Sequence, residues 1–214
     1  MKIFIVGFPK AGTSSIQNAL KNANISSVHW ARYNLPSHLR HLGHINRFGH
    51  PAASVGVLID WAKKDNQPLL TYLNDYDAFT QMDISLNKKL NFWPQLTDIP
   101  LLDKQYPNSK FVFNTRPIKK WISSVNRWGN LRKRLTKLEI PGLPAGKGSE
   151  DRHLEDWHNE HLEKTTRYFS DQPPGKLIVF DIENDNPKKL ARFLGIKDMV
   201  WEHKNKSKKI ENDS

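Results

Sequence analysis

The sequence predicts an α/β fold of three layers, a central parallel sheet flanked by helices. Apolar runs at 3–6, 110–115 and 177–181 alternate with helical patterns near 14–23, 117–134 and 186–194, the rhythm of parallel strands joined by crossover helices. The 214 residues are 37% hydrophobic and include seven tryptophans, enough for one substantial core. Residues 1–204 therefore read as a single domain, and the basic and polar stretch 205–214 as a tail.

The first strand, Ile3-Phe4-Ile5-Val6, runs into the basic turn Gly7-Phe8-Pro9-Lys10-Ala11-Gly12 and then into Thr13-Ser14-Ser15. Ile16, Ala19, Leu20 and Ala23 fall on one face of the helix that follows, with Thr13 or Ser14 as its cap. Small residues leave backbone N–H groups exposed in such a turn, and the helix start adds its unpaired amides and positive dipole end. That is a phosphate cradle, and it makes the fold P-loop-like. A Walker A loop, GxxxxGK[ST], has lysine where this chain has Thr13, and the lysine here stands three residues earlier, at Lys10. Metal-dependent ATP hydrolysis is therefore not the first reading.

A second strand ends at His29. Residues 32–53 hold His38, His41, His44 and His50 without a clear period. The three-residue repeat invites a metal, but no acidic ligand stands among these histidines and structural zinc sites usually recruit cysteine, so we expect none. Asp77-Ala78-Phe79-Thr80 precedes a middle insertion, with Asp83 just beyond it.

Lys110 to Thr115 is a further buried strand. Arg116-Pro117 follows, and Pro117 suits a first helical turn. Trp121, Ile122, Val125 and Trp128 line one side of that helix. Residues 141–149, rich in glycine and proline, are either a pocket-shaping loop or a solvated connector. Leu154, Trp157, His161, Leu162, Thr165 and Phe169 mark an amphipathic helix over 150–169, and Leu177 to Asp181 a last strand. The final helix starts near Asn186-Pro187 and stops at Gly195.

The string Pro9-Lys10-Ala11-Gly12-Thr13-Ser14 resembles the 5′-phosphosulfate loop, PKxGT[TS], of sulfotransferases that use 3′-phosphoadenosine 5′-phosphosulfate (PAPS). The order of Ser27-Val28-His29-Trp30, Asp77 to Thr80, Leu177 to Asp181 and Phe193-Leu194-Gly195 is similar to that of compact, bacterial-type members. The resemblance implies that Lys10 contacts the bridging oxygen and stabilises the departing nucleotide. It implies too that Ala11, Gly12, Thr13, Ser14 and Ser15 hold the 5′-phosphate. The family's 3′-phosphate site is similar to Arg116 with a serine eight residues on, Ser124, or Ser123 if the alignment shifts by one. Guanidinium and hydroxyl both suit a phosphate and need no metal. The resemblance implies a histidine or a glutamate as the base; relatives carry an acidic residue where this chain has Gln81, which leaves Asp83, just beyond, and His29 as candidates. Lys204 and Lys206 match a late basic segment that closes over the nucleotide, or a solubilising tail.

The net charge of +11 favours anions of any kind, a bisphosphorylated nucleotide as much as a polyanion. With no cysteine, disulfides and thiolate chemistry are excluded, which fits a reducing compartment. No apolar run approaches the roughly 20 residues of a membrane span, and the chain starts with a strand in place of a signal peptide. We expect a soluble, cytoplasmic enzyme. It would transfer a sulfuryl group from PAPS to a hydroxyl or amine of a small-molecule or carbohydrate acceptor, releasing adenosine 3′,5′-bisphosphate. The competing readings are a P-loop nucleotide kinase or NTPase and a non-catalytic polyanion- or nucleic-acid-binding module. A nucleic acid is not the expected partner, since several tryptophans lie on core faces and not among exposed basic residues.

Overall fold

Strand β1 (Ile3–Ile5) opens the chain and turns through a loop into α1 (Thr13–Asn22). The computed structural model describes residues 1–45, 51–197 and 199–202, with only the backbone at 44 and 45. After α1 come β2 (Ser27–His29), β3 (Ala31–Tyr33), a 3₁₀ turn (Ser37–Leu42), β4 (His44–Ile45), β5 (Pro51–Ser54) and α2 (Val55–Lys64). Then follow β6 (Ala78–Gln81), the hairpin β7 (Ile84–Asn87) and β8 (Leu90–Phe92), α3 (Pro94–Thr97) and α4 (Ile99–Gln105). The chain continues through β9 (Lys110–Thr115), α5 (Ile118–Arg127), α6 (Leu131–Lys137), α7 (Asp151–Ser170), β10 (Leu177–Asp181) and α8 (Pro187–Leu194).

The main sheet has the order β10-β9-β1-β6-β2-β3-β5-β4. Its first five strands are parallel and the last three run antiparallel. Strand alternation explains the layers. Ile3 and Ile5 pack with Ile16 and Leu20 of α1 and with Leu190 and Leu194 of α8. Phe4 and Val6 point the other way, among Leu58 and Ile59 of α2, Leu102 of α4 and Phe169 of α7. A strand buried on both faces must be apolar throughout, and each such side chain contributes about 1.5–3 kcal/mol on burial. A third cluster joins Phe8, Trp93, Trp121 and Trp157 with Leu131 and Leu135 and supports the loop after β1.

Three elements differ from the sequence expectation. The helix expected over 117–134 is two helices, because Gly129 takes a left-handed backbone (φ 48°) between them and ends the first. Leu131 and Leu135 are buried like Trp121 and Val125, so the apolar period continues across the break and hides it. Residues 32–53 contain β3, β4 and β5, strands too short to show a period. β6 lies between β1 and β2, near the middle of the sheet, although its four residues carry no strand signal of their own. The last helix matches its expected ends: the Asn186 side chain accepts from the Lys188 N–H, and Gly195 has φ 72°. The 141–149 loop is anchored by Leu143, which is buried and bridged to Ile140.

Candidate active site

The turn after β1 is held by donors that grip its carbonyls. His161 Nε2 donates to the Val6 carbonyl (2.7 Å), Trp121 Nε1 to Pro9 (2.9 Å), and Asn114 Nδ2 to Ala11 (2.8 Å) and Phe8 (3.3 Å). Asn114 Oδ1 accepts from the Gly7 N–H at 3.0 Å. A trans peptide directs its N–H opposite its C=O, so fixing the carbonyls of Pro9 and Ala11 inward turns the amides of Lys10 and Gly12 outward. The amides of Thr13 and Ser14, in the first turn of α1, have no intrahelical acceptor. Lys10 itself is left-handed (φ 69°), as is Gly12 (φ 82°).

Neither Thr13 nor Ser14 caps α1, contrary to expectation; Gly12 does, with no side-chain cap bond. The Ile182 side chain occupies the space a Cβ on Gly12 would need, so the position requires glycine on two counts. Thr13 and Ser15 are buried and Ser14 partly so.

Arg116, which follows β9, reaches this turn. Its Nη1 donates to the Lys10 carbonyl at 3.4 Å, and its Nη2 is paired with Glu183, which also binds Lys120. Arg116 Nε is buried and unpartnered. The Lys10 ammonium lies 3.7 Å from the centre of the Trp128 ring. Burial, then the charges of Arg116 and Arg127, lower its pKa. On α5, Ser123 Oγ accepts from Arg127 Nη1 at 2.7 Å. Among the described residues no side-chain hydrogen bond engages Ser124.

His29 ends β2 beside the cradle. Its Nε2 is 3.4 Å from Ser14 Oγ and its Nδ1 3.1 Å from Thr80 Oγ1. Burial, then Lys21 and Lys10, lower its pKa to about 4. The Asp83 carboxylate is buried and accepts from Gln95 Nε2 (3.1 Å) and from Gln81 Nε2 (3.4 Å), Gln81 being the cross-strand partner of His29. Burial raises its pKa to about 6 against those hydrogen bonds and the Arg134 charge. No described contact joins Asp83 to Lys10, Arg116 or the turn.

A family model described as a sulfotransferase domain matches residues 2–140. The chain belongs to the sulfotransferase family. The match takes in the turn, His29, Asp83, Arg116 and Ser124, and stops before α7. No curated protein matches this sulfotransferase. Among its described residues no helix is long and apolar enough to cross a membrane, and no group of three or more histidine, aspartate or glutamate side chains is placed to hold a metal. The His44 side chain, His50, Lys204 and Lys206 lie outside the described residues.

Sequence reasoning passed over several residues that shape this sulfotransferase's site. Asn114, fully buried, reads as part of an apolar strand, and its one signal is polarity within Phe-Val-Phe-Asn-Thr. Thr80 orients His29 from the adjacent β6. Trp128 reads as a core position but is 55% exposed, which leaves its ring face open to Lys10. Glu183, after β10, carries no local signal, since only the fold brings it to Arg116.

Proposed function

We propose that this sulfotransferase uses PAPS as donor and transfers its sulfuryl group to an acceptor hydroxyl, with adenosine 3′,5′-bisphosphate as product. The observation that carries the reading is the approach of Arg116 Nη1 to the Lys10 carbonyl, which brings two cationic residues, remote in sequence, to one turn. The chain's groups fit such a donor. Outward amides around Gly12 and the hydroxyls of Thr13, Ser14 and Ser15 suit a 5′-phosphate. Arg116, with its unpartnered buried Nε, and the uncommitted Ser124 suit a 3′-phosphate.

PAPS supplies an activated sulfuryl group on a phosphate leaving group. Lys10 holds positive charge at the cradle, where a leaving phosphate oxygen gathers negative charge. His29 takes the acceptor proton: Nε2 is the ring nitrogen nearer the cradle, and it sits against a hydroxyl instead of a carboxylate. We prefer it to Asp83, whose carboxylate is turned to two glutamines.

Isothermal titration with adenosine 3′,5′-bisphosphate, ATP with Mg²⁺ and an oligonucleotide tests the reading. Metal-independent binding of the bisphosphate, tighter than either rival, is expected. Preference for Mg-ATP would favour a kinase or NTPase, and preference for the oligonucleotide a polyanion-binding module.

A further inference from the structure

The helical layer formed by α1 and α8 does not reach the antiparallel edge of the sheet. α1 packs on β2 and β6. Beside it, over β2 and β3, lies an open groove of about 700 Å³ with His29 among its lining residues. Val28 packs into the core on the opposite side of the sheet, whereas Ser27 and His29 line the groove.

The walls indicate an occupant. Gln17, Asn24, Asn34 and Tyr33 line the groove, together with Lys21. Among the described residues no aspartate or glutamate lines it, and no ion pair engages Lys21. An apolar acceptor wants an enclosed pocket, and this groove is open. Amides donate and accept at once, as vicinal sugar hydroxyls require, and tyrosine offers a flat apolar face with a polar tip. An unopposed lysine adds a place for a carboxylate. Lys21 also acts electrostatically on His29, which puts the anion site and the proximal end of the groove within one field.

We propose that this groove is the acceptor subsite and takes an acidic saccharide, its carboxylate on Lys21 and its reacting hydroxyl at His29 Nε2. The inference rests on the PAPS reading above. In the step, the acceptor oxygen forms a bond to sulfur as the bond from sulfur to the 5′-phosphate oxygen breaks. The hydroxyl proton passes to His29 Nε2, and the phosphate oxygen keeps the electron pair beside Lys10.

The test uses the full chain and two probes: an unsulfated tetrasaccharide alternating glucuronic acid with N-acetylglucosamine, and the neutral tetrasaccharide of N-acetylglucosamine alone. Both are titrated with adenosine 3′,5′-bisphosphate bound, and the bisphosphate is titrated separately. The acidic probe should bind about fivefold tighter than the neutral one, the scale of one partly exposed charge pair. Lys21→Ala should erase that preference and Tyr33→Ala should weaken both probes, while sulfate from labelled PAPS appears on the acidic probe. A preference that survives Lys21→Ala overturns the subsite, as does absence of saccharide binding in a chain that still binds the bisphosphate, and either result leaves the donor reading standing. A wild-type chain that ignores the bisphosphate overturns the donor reading, and the subsite with it.

Discussion

His29 and Thr80 share a hydrogen bond whose direction is fixed by a third group. The Thr80 hydroxyl donates its single proton to the Val28 carbonyl (3.1 Å), so toward His29 Nδ1 (3.1 Å) it can only accept. Nδ1 therefore carries the ring proton and Nε2 the lone pair, on the side of Ser14 and the cradle. Lys10 is among the charges that depress the His29 pKa. In the proposed reaction an anion at the turn would offset that charge, so donor binding would strengthen His29 as the base.

Replacing His29 by alanine should lower transfer by about 10²–10⁴-fold, the usual contribution of a general base. Single-turnover transfer beside a bisphosphate titration checks this. An equal loss of bisphosphate affinity would assign the residue to donor binding instead. Thr80→Val lets either ring nitrogen carry the proton and should lower kcat without weakening bisphosphate binding.

With its pKa lowered to about 4, His29 loses its lone pair only in acid. The rate at low donor concentration should hold steady down to about pH 5 and fall below it. An acid limb that stays in place in His29→Gln would show that another group titrates.

Lys10→Ala should remove transfer by about 10²–10³-fold, the scale for one donor aimed at developing negative charge. Lys10 stacks on an exposed ring and not in the core, so the thermal midpoint should hardly move. Retained turnover would end its catalytic role.

Arg116 and Lys120 share the Glu183 carboxylate. Burial works to raise the Glu183 pKa, but hydrogen bonds from Lys120 and Arg116 outweigh it and hold the group ionised. In the proposed donor site a phosphate at Arg116 would compete with that carboxylate. Glu183→Gln should therefore tighten bisphosphate binding about fivefold, whereas Arg116→Ala should weaken it by about 2–4 kcal/mol. Weaker binding in Glu183→Gln would make the carboxylate a support for Arg116 and not a competitor.

What the sequence shows of this site is what is local. Strand, turn and helix start lie within a few residues around Lys10 and around Arg116, so their spacing is legible, although the cap of α1 is Gly12 and not the expected Thr13 or Ser14. Asn114 shapes the turn through three hydrogen bonds spanning more than 100 residues of sequence, and nothing near it in the chain announces them. The same holds for Glu183 and Thr80, whose roles exist only after β10 and β6 take their places in the sheet. The missed helix break has the opposite cause: Leu131 and Leu135 keep the period of Trp121 and Val125, so burial continues where backbone geometry does not.

Asp83 gives the clearest separation of stability from catalysis. Burial lifts its pKa from 3.8 to about 6, so between those values the folded chain binds more protons than the unfolded chain. Stability contributed by this group is thus full below about pH 4 and is lost as pH rises through 6. The shift of roughly two units corresponds to about 2–3 kcal/mol. Asn at this position stays neutral; its single Oδ1 accepts from one of the two glutamines, and its Nδ2 donates to the other once that amide turns its Oε1 inward. In urea unfolding Asp83→Asn should gain up to about 2–3 kcal/mol over wild type at pH 8 and little at pH 4. Its transfer rate should exceed that of His29→Ala by at least about tenfold, since only one of the two removes the base. The reverse order of rates would move the proton acceptor from β2 to the residue beyond β6.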